Sequence, residues 1–276
     1  DLVTAGTQDI EIPIIAVHPT VRQNPGTAMK TVILGHGLFG DRTTMVGLGG
    51  ALVATAAANG IDLTALMIDQ PLHGVTDANT DFAALKTANE RHFGYGETGP
   101  GQPPSDISSL LSTAFNGGSG SMFINVESFL TSRDNNRQNA LDLISLRRAI
   151  GSIDIDGGGA DLDGSDVYYN GFSLGTVSAQ SFVAVANDVT QDDESDDIKA
   201  AFFSTPGGGI SRFFENSPAF GPQILNGLGA GFGFTHDTSS YQTYLNVLQA
   251  SFDSFDAVNF VGDYVEQDSK VLYFEA

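Results

Sequence analysis

The run Val167-Tyr168-Tyr169-Asn170-Gly171-Phe172-Ser173-Leu174-Gly175-Thr176-Val177-Ser178-Ala179 constrains this chain more than any other stretch. Aromatic and β-branched residues end in Gly-x-Ser-x-Gly, and small residues suited to a helix follow at once. Strand, tight turn, helix is the local context in which a serine serves as an exposed nucleophile. Glycines at 171 and 175 keep side chains out of the turn, so Ser173 projects above the carboxyl edge of a sheet. The Leu174 N–H then opens a helix, where backbone donors and the helix dipole favour developing negative charge. The plain alternative, an ordinary serine in a glycine-rich turn, explains the pentapeptide but not both flanks.

The chain before this turn alternates elements. Ile10–Val17 reads as an edge strand or hairpin, broken by His18-Pro19 and Asn24-Pro25-Gly26. Thr31–Leu34 is a short buried strand ending at His36-Gly37-Leu38-Phe39-Gly40-Asp41-Arg42. A helix capped by Thr43 or Thr44 runs through Met45, Leu48, Leu52, Val53 and Ala56 to Asn59-Gly60. Leu63–Ile68 is the next strand, closing at Asp69-Gln70-Pro71-Leu72-His73-Gly74. Strand, helix and strand at this spacing predict a right-handed parallel crossover, hence an α/β fold.

Two regions depart from that rhythm. Residues 75–132 scatter Phe82, Leu85, Phe93, Leu110, Leu111 and Phe115 among Gly and Pro clusters, which predicts an apolar insertion over the top of the sheet. It either packs itself down or lines a site for an acyl group. A second cap-like stretch, about 206–262, holds a helix over Tyr241–Phe255. Between them, Asp134–Ile150 is the clearest helix, with Asp134 as its cap. The acidic run 191–197 reads as a solvated turn, Lys199–Ser204 as a strand, and Lys270–Phe274 as the last strand. The glycines at 227–233 follow no strand, which excludes a dinucleotide loop.

Asp154, Asp156, Asp161 and Asp163 stand at alternate positions of a glycine-rich loop, a donor pattern that suits calcium. Gly158 replaces a third carboxylate and Ser165 stands where an EF-hand places its bidentate glutamate, so a merely polar loop is the competing reading.

Composition closes several routes. With no cysteine there are no disulfides, thiolate catalysis or cysteine-bound metals. Twelve basic residues against 33 acidic give −21, a surface that repels nucleic acid and anionic lipid. Such a surface suits salty surroundings or simply a soluble acidic secreted protein. No run approaches the ~20 apolar residues of a membrane helix. Asp1-Leu2-Val3-Thr4 carries no signal segment, so the chain reads either as cytosolic or as a form whose leader has been removed.

A serine nucleophile needs a histidine to take its proton, a carboxylate to orient that histidine, and two donors for the oxyanion. Leu174 N–H is one donor. The loop after an early central strand supplies the other, and Leu38 N–H is in that position. His36 reads as a histidine fastening its own loop. His36 and His73 both precede Ser173, the wrong order for the general base in this architecture.

The sequence resembles the α/β-hydrolase superfamily, and within it bacterial extracellular lipases of the virulence-factor type. The resemblance rests on His36–Arg42, Pro71-Leu72-His73-Gly74, Arg133-Asp134-Asn135-Asn136-Arg137-Gln138 and Gly171–Gly175, and covers most of residues 10–276. It implies a single domain, a mostly parallel sheet with helices on both faces, and secretion. It also implies cleavage of ester or lipid substrates through an acyl-enzyme on Ser173, with no required cofactor. Phe172 stands where such lipases usually have histidine. In that family the acid follows the strand after the variable region and the histidine comes later. Because that strand reads here as Lys270–Phe274, both are expected outside this chain, in a C-terminal segment or second chain that completes the fold. His236, with Asp192, Asp193 or Glu215 before it, is the only alternative base in Ser–acid–His order. A non-catalytic module on the same fold, or a peptidase or thioesterase, is the rival reading.

Overall fold

The computed structural model describes residues 10–92, 118–125, 128–188, 190, 197–218 and 220–275. Much of the predicted insertion (93–117), the acidic run 191–196 with Asp192 and Asp193, and the N-terminal nine residues lie outside them.

Apolar runs bounded by turn residues form the strands β1 (Ile14–Val17), β2 (Met29–Gly35), β3 (Leu63–Ile68), β4 (Leu162–Phe172), β5 (Ala200–Ser204) and β6 (Val271–Phe274). They make one sheet in the order β1-β3-β2-β4-β5-β6, with β1 antiparallel and all other pairs parallel. Near-continuous apolar strands such as Thr-Val-Ile-Leu and Leu-Thr-Ala-Leu-Met-Ile mark a sheet buried on both faces. The chain leaves β2 through helix α1 (Val46–Ala58) to reach β3 on one side, and β4 lies against β2 on the other. The carboxyl ends of β2 and β4 therefore flank the topological switch point, where open α/β sheets bind ligands. Gly35 pairs with Gly171 there, two residues before Ser173.

On one face Ile33, Tyr169, Phe182 and Phe203 pack with Leu143, Leu146 and Ile150 of helix α2 (Phe129–Ala149) and its end. On the other, α1 covers Val32, Leu34, Ala65 and Met67. Ser173 leads into α3 (Leu174–Val177) and α4 (Gln180–Ala186). The stretch after β5 folds as α5 (Ile210–Asn216), α6 (Gly221–Phe232) and α7 (Ser239–Phe252), followed by α8 (Val261–Glu266). Leu174 and Val177 share a buried cluster with Ile210, Leu228, Tyr241, Leu245 and Phe252, so these helices rest on α3.

Three helix boundaries differ from the sequence expectation. Helix α2 starts at Phe129 after Ser128, and Asp134 lies inside it, its carboxylate taken by the adjacent Arg133. Neither Thr43 nor Thr44 caps α1; Asp41 caps a preceding 3-10 turn, Arg42–Met45, by accepting from Thr43 N–H. Helix α7 ends at Phe252, three residues early, with Thr238 as its cap.

A hollow of about 640 Å³ lies between α1 and the strands β4–β6, over Val32, Tyr168, Phe202 and Leu272. Leu272 and Phe274 are more than half exposed. Ser173 does not line it. No described helix extends membrane-long and apolar.

Candidate active site

Ser173 sits at φ 52°, ψ −118°, a conformation that side-chain-bearing residues avoid and that costs on the order of 1–3 kcal/mol. Cross-strand hydrogen bonds hold it there. Ser173 N–H donates to the Ser204 carbonyl at 3.1 Å and to Thr205 Oγ1 at 3.0 Å. Thr176 Oγ1–H donates to the same carbonyl. The turn is possible only because backbone passes backbone without side chains between. A Cβ on Gly175 would lie 2.4 Å from the Gly35 oxygen, and one on Gly171 would lie 2.7 Å from the Gly175 oxygen. Buried Tyr169 fastens the crossing by donating its hydroxyl to the Gly175 carbonyl at 2.6 Å, and burial pushes that phenol's pKa up.

The loop after β2 lies against the serine. A Cβ on Gly37 would come within 3.3 Å of Ser173 Cβ. Gly40 N–H closes a turn onto the Gly37 carbonyl, with Phe39 at φ 65°. Neither Leu38 N–H nor Leu174 N–H donates to another described residue. Leu38, Ser173 and Leu174 line one small cavity. Both predicted oxyanion donors thus belong to segments that meet at Ser173.

His36 fastens this loop from beneath. Fully buried, it accepts from Gln70 N–H through Nε2 at 3.1 Å, and its Nδ1 donates to the Gly37 carbonyl at 2.9 Å. Burial drives its pKa below the ordinary histidine value, so the ring is neutral. Gln70 donates to the His36 carbonyl and accepts from Ser178 Oγ–H, which in turn accepts from Asn139. His73 stacks near His36 with ring centroids 4.9 Å apart, and Nδ1 donates to the Pro71 carbonyl. Burial holds its pKa well down. These histidines build the shelf under the site.

A second buried brace joins Arg42, Asp69 and Glu90. The guanidinium contacts both carboxylates and the Leu85 carbonyl, while Arg91 binds the Asp69 carbonyl and Asp142. Sequence reasoning did not single out this brace, Gln70 or Thr205. The one local signal was a charged residue, Asp69, closing an otherwise apolar strand.

Among the described residues, no hydrogen bond joins Ser173 Oγ to a histidine. His236 stands between two carboxylates instead, with Nε2 3.4 Å from Glu215 and Nδ1 2.9 Å from Asp237, and is half exposed. Glu215 therefore reaches His236 as the Ser–acid–His order allows, yet neither residue lines the cavity at Ser173.

In the acidic loop, Asp154, Asp156 and Asp161 bring one oxygen each within 4.8 Å of the others. Asp163 does not join them; its carboxylate accepts from Ser165 N–H and Oγ–H, which hold its pKa below the usual range.

No protein-family model and no curated protein sequence matches the chain. Solved structures do. An acetyl xylan esterase from Paenibacillus sp. R4 is 15% identical, with a TM-score of 0.50 over 96% of this chain and 73% of that one. The chain has the α/β-hydrolase fold. Acetyl Xylan Esterase 1 from Thermoanaerobacterium sp. JW/SL YS485 is 11% identical at TM-score 0.45, covering 95% of this chain and 71% of that one. Within this fold, Ser173 occupies the turn that follows the central strand β4, and the loop at 36–40 follows the neighbouring strand β2.

Proposed function

We propose that this α/β-hydrolase is a serine hydrolase that cleaves carboxylic esters through an acyl-enzyme on Ser173. The observation that carries the reading is the strained Ser173 at the switch point, with Leu38 and Leu174 amides beside it. Ser173 Oγ adds to the ester carbonyl carbon and its proton passes to a base. The two N–H groups receive the oxyanion, each donor being worth ~3 kcal/mol by mutational precedent. Collapse expels the alcohol, which takes the proton, and water then releases the acid by the same route. The base and its orienting carboxylate are proposed to come from outside this chain, because none of its five histidines, all of them described, bonds to Ser173. That feature also sustains a second reading, a ligand-binding module with a decayed elbow. A fluorophosphonate decides between them. Stoichiometric modification mapped by mass spectrometry to Ser173 supports the hydrolase; no adduct there, in folded protein complete with its base, rejects it.

The 154–163 loop is proposed to hold calcium as a structural ion that braces the entry to β4. Support comes from the convergence of Asp154, Asp156 and Asp161, whose carboxylates accept N–H groups of their own loop. Adding a chelator should lower the melting temperature, and Asp156→Asn should abolish that response. An unchanged melting temperature means the loop needs no ion.

The −21 charge is proposed as an adaptation to salty, extracellular surroundings. Raising sodium chloride from low to molar concentration should raise the melting temperature, because screening weakens like-charge repulsion. A flat or falling melting temperature counts against it.

A further inference from the structure

We infer that the site selects short acyl groups, with two to about four carbons; the inference rests on Ser173 as nucleophile and specifies its substrate. The cavity at Ser173 has a volume of about 30 Å³. A water-sized group needs ~10–15 Å³ of such space, so two or three heavy atoms fit beyond the carbonyl carbon. The walls are apolar: Leu38, Ile124, Val177, Ile210, Phe214 and Phe220. An acyl chain, not a charged or hydroxylated group, is what such walls accept without leaving polar atoms unpaired.

The back wall cannot yield to a longer chain. Ile124, Val177 and Ile210 are buried members of the cluster that joins the elbow helix to α5–α7. Deepening the cavity means displacing close-packed core residues, which interiors resist. The outer wall is aromatic and held from behind. Phe214 and Phe220 meet edge to face with centroids 6.2 Å apart, and Phe39 lies 6.5 Å from Phe220. Phe220 therefore stands where a longer chain must pass, and its removal opens the cavity without touching the elbow.

Two phosphonate esters read this directly, without requiring deacylation. Ser173 Oγ attacks phosphorus as its proton passes to the base, and p-nitrophenolate leaves, so the alkyl group stays on the enzyme in the acyl position. Ethyl p-nitrophenyl methylphosphonate should modify Ser173 at least about tenfold faster than the octylphosphonate, the scale on which a hydrophobic pocket discriminates chain length. Phe220→Ala should narrow that ratio by raising the octyl rate. Phe213→Ala, at the more exposed edge of the same cavity, serves if Phe220→Ala does not fold. Equal rates, or a faster octyl reaction, overturn the short-chain assignment while leaving the nucleophile in place. A preference that neither variant shifts removes the aromatic wall as its cause. Failure of both reagents to modify Ser173 in protein complete with its base instead rejects the nucleophile on which the inference rests.

Discussion

In protein complete with its base, Ser173→Ala is expected to abolish fluorophosphonate capture and to lower kcat/KM for p-nitrophenyl acetate by about 10³-fold or more, with circular dichroism unchanged. A serine hydrolase that loses its nucleophile keeps only oxyanion and binding contributions, and single-residue removal in subtilisin costs ~10⁶ in kcat. At ~1.36 kcal/mol per tenfold, the expected loss is at least ~4 kcal/mol of transition-state stabilisation. His236→Ala is the companion measurement. Because His236 engages Glu215 and Asp237 and does not bond to Ser173, the substitution should leave labelling and turnover unchanged. Turnover above a few per cent in Ser173→Ala removes the nucleophile assignment. Loss of activity in His236→Ala places the base on α7's approach and removes the proposal that it comes from outside this chain.

The parts of the fold that sequence reveals are those written in local pattern. β2, β3 and β5 are short apolar runs closed by Gly, Asp or Thr-Pro, so their existence and parallel order follow from period and spacing. The elbow is legible for a related reason: both its strand and its helix are contiguous with the serine. Leu38 is legible only through its place in the loop after an early strand, because an N–H donor carries no side-chain signature. The start of α2 was misplaced because Asp134 looks like a cap, whereas it faces solvent beside Arg133 and the helix begins earlier.

What stayed hidden is held by contacts far apart in sequence. Ser178 and Gln70 bond across 108 positions, and Ser173 and Thr205 across 32. No periodicity records such pairs. The cavity at Ser173 is a further example. The expected lining was the insertion at 75–132, yet among the described residues only Ile124 comes from it, and Ile210, Phe213, Phe214 and Phe220 supply much of the rest. Phe82 and Leu85 instead lie in a 3-10 turn and line no part of the cavity. The large hollow over β4–β6 shows the same limit in reverse, since volume alone points away from the serine.

Arg42→Met should cost about 3–5 kcal/mol of unfolding free energy at neutral pH, because it leaves two buried carboxylates without their cation. Arg42 is 1% exposed and Asp69 0%. Its backbone N–H donates to Asp69 at 2.6 Å, and its guanidinium reaches Glu90 at 2.5 and 2.8 Å. The backbone bond survives the substitution; the guanidinium bonds do not. Arg42→Lys should recover only part of the loss, since a point charge cannot span Asp69, Glu90 and the Leu85 carbonyl together. The pH dependence carries a sign. Burial raises the Glu90 pKa, but the Arg42 guanidinium and the Thr87 and Val75 N–H groups outweigh it and hold the carboxyl below its ordinary value. A depressed carboxylate stabilises the fold above its unfolded pKa, and that stabilisation is lost as pH falls through the folded value. The gap between wild type and Arg42→Met should therefore be widest near neutrality and close below the ordinary glutamate range. Urea titrations across pH measure it. A gap under about 1 kcal/mol at pH 7, or one that widens in acid, means the brace does not hold the loop that carries Leu38.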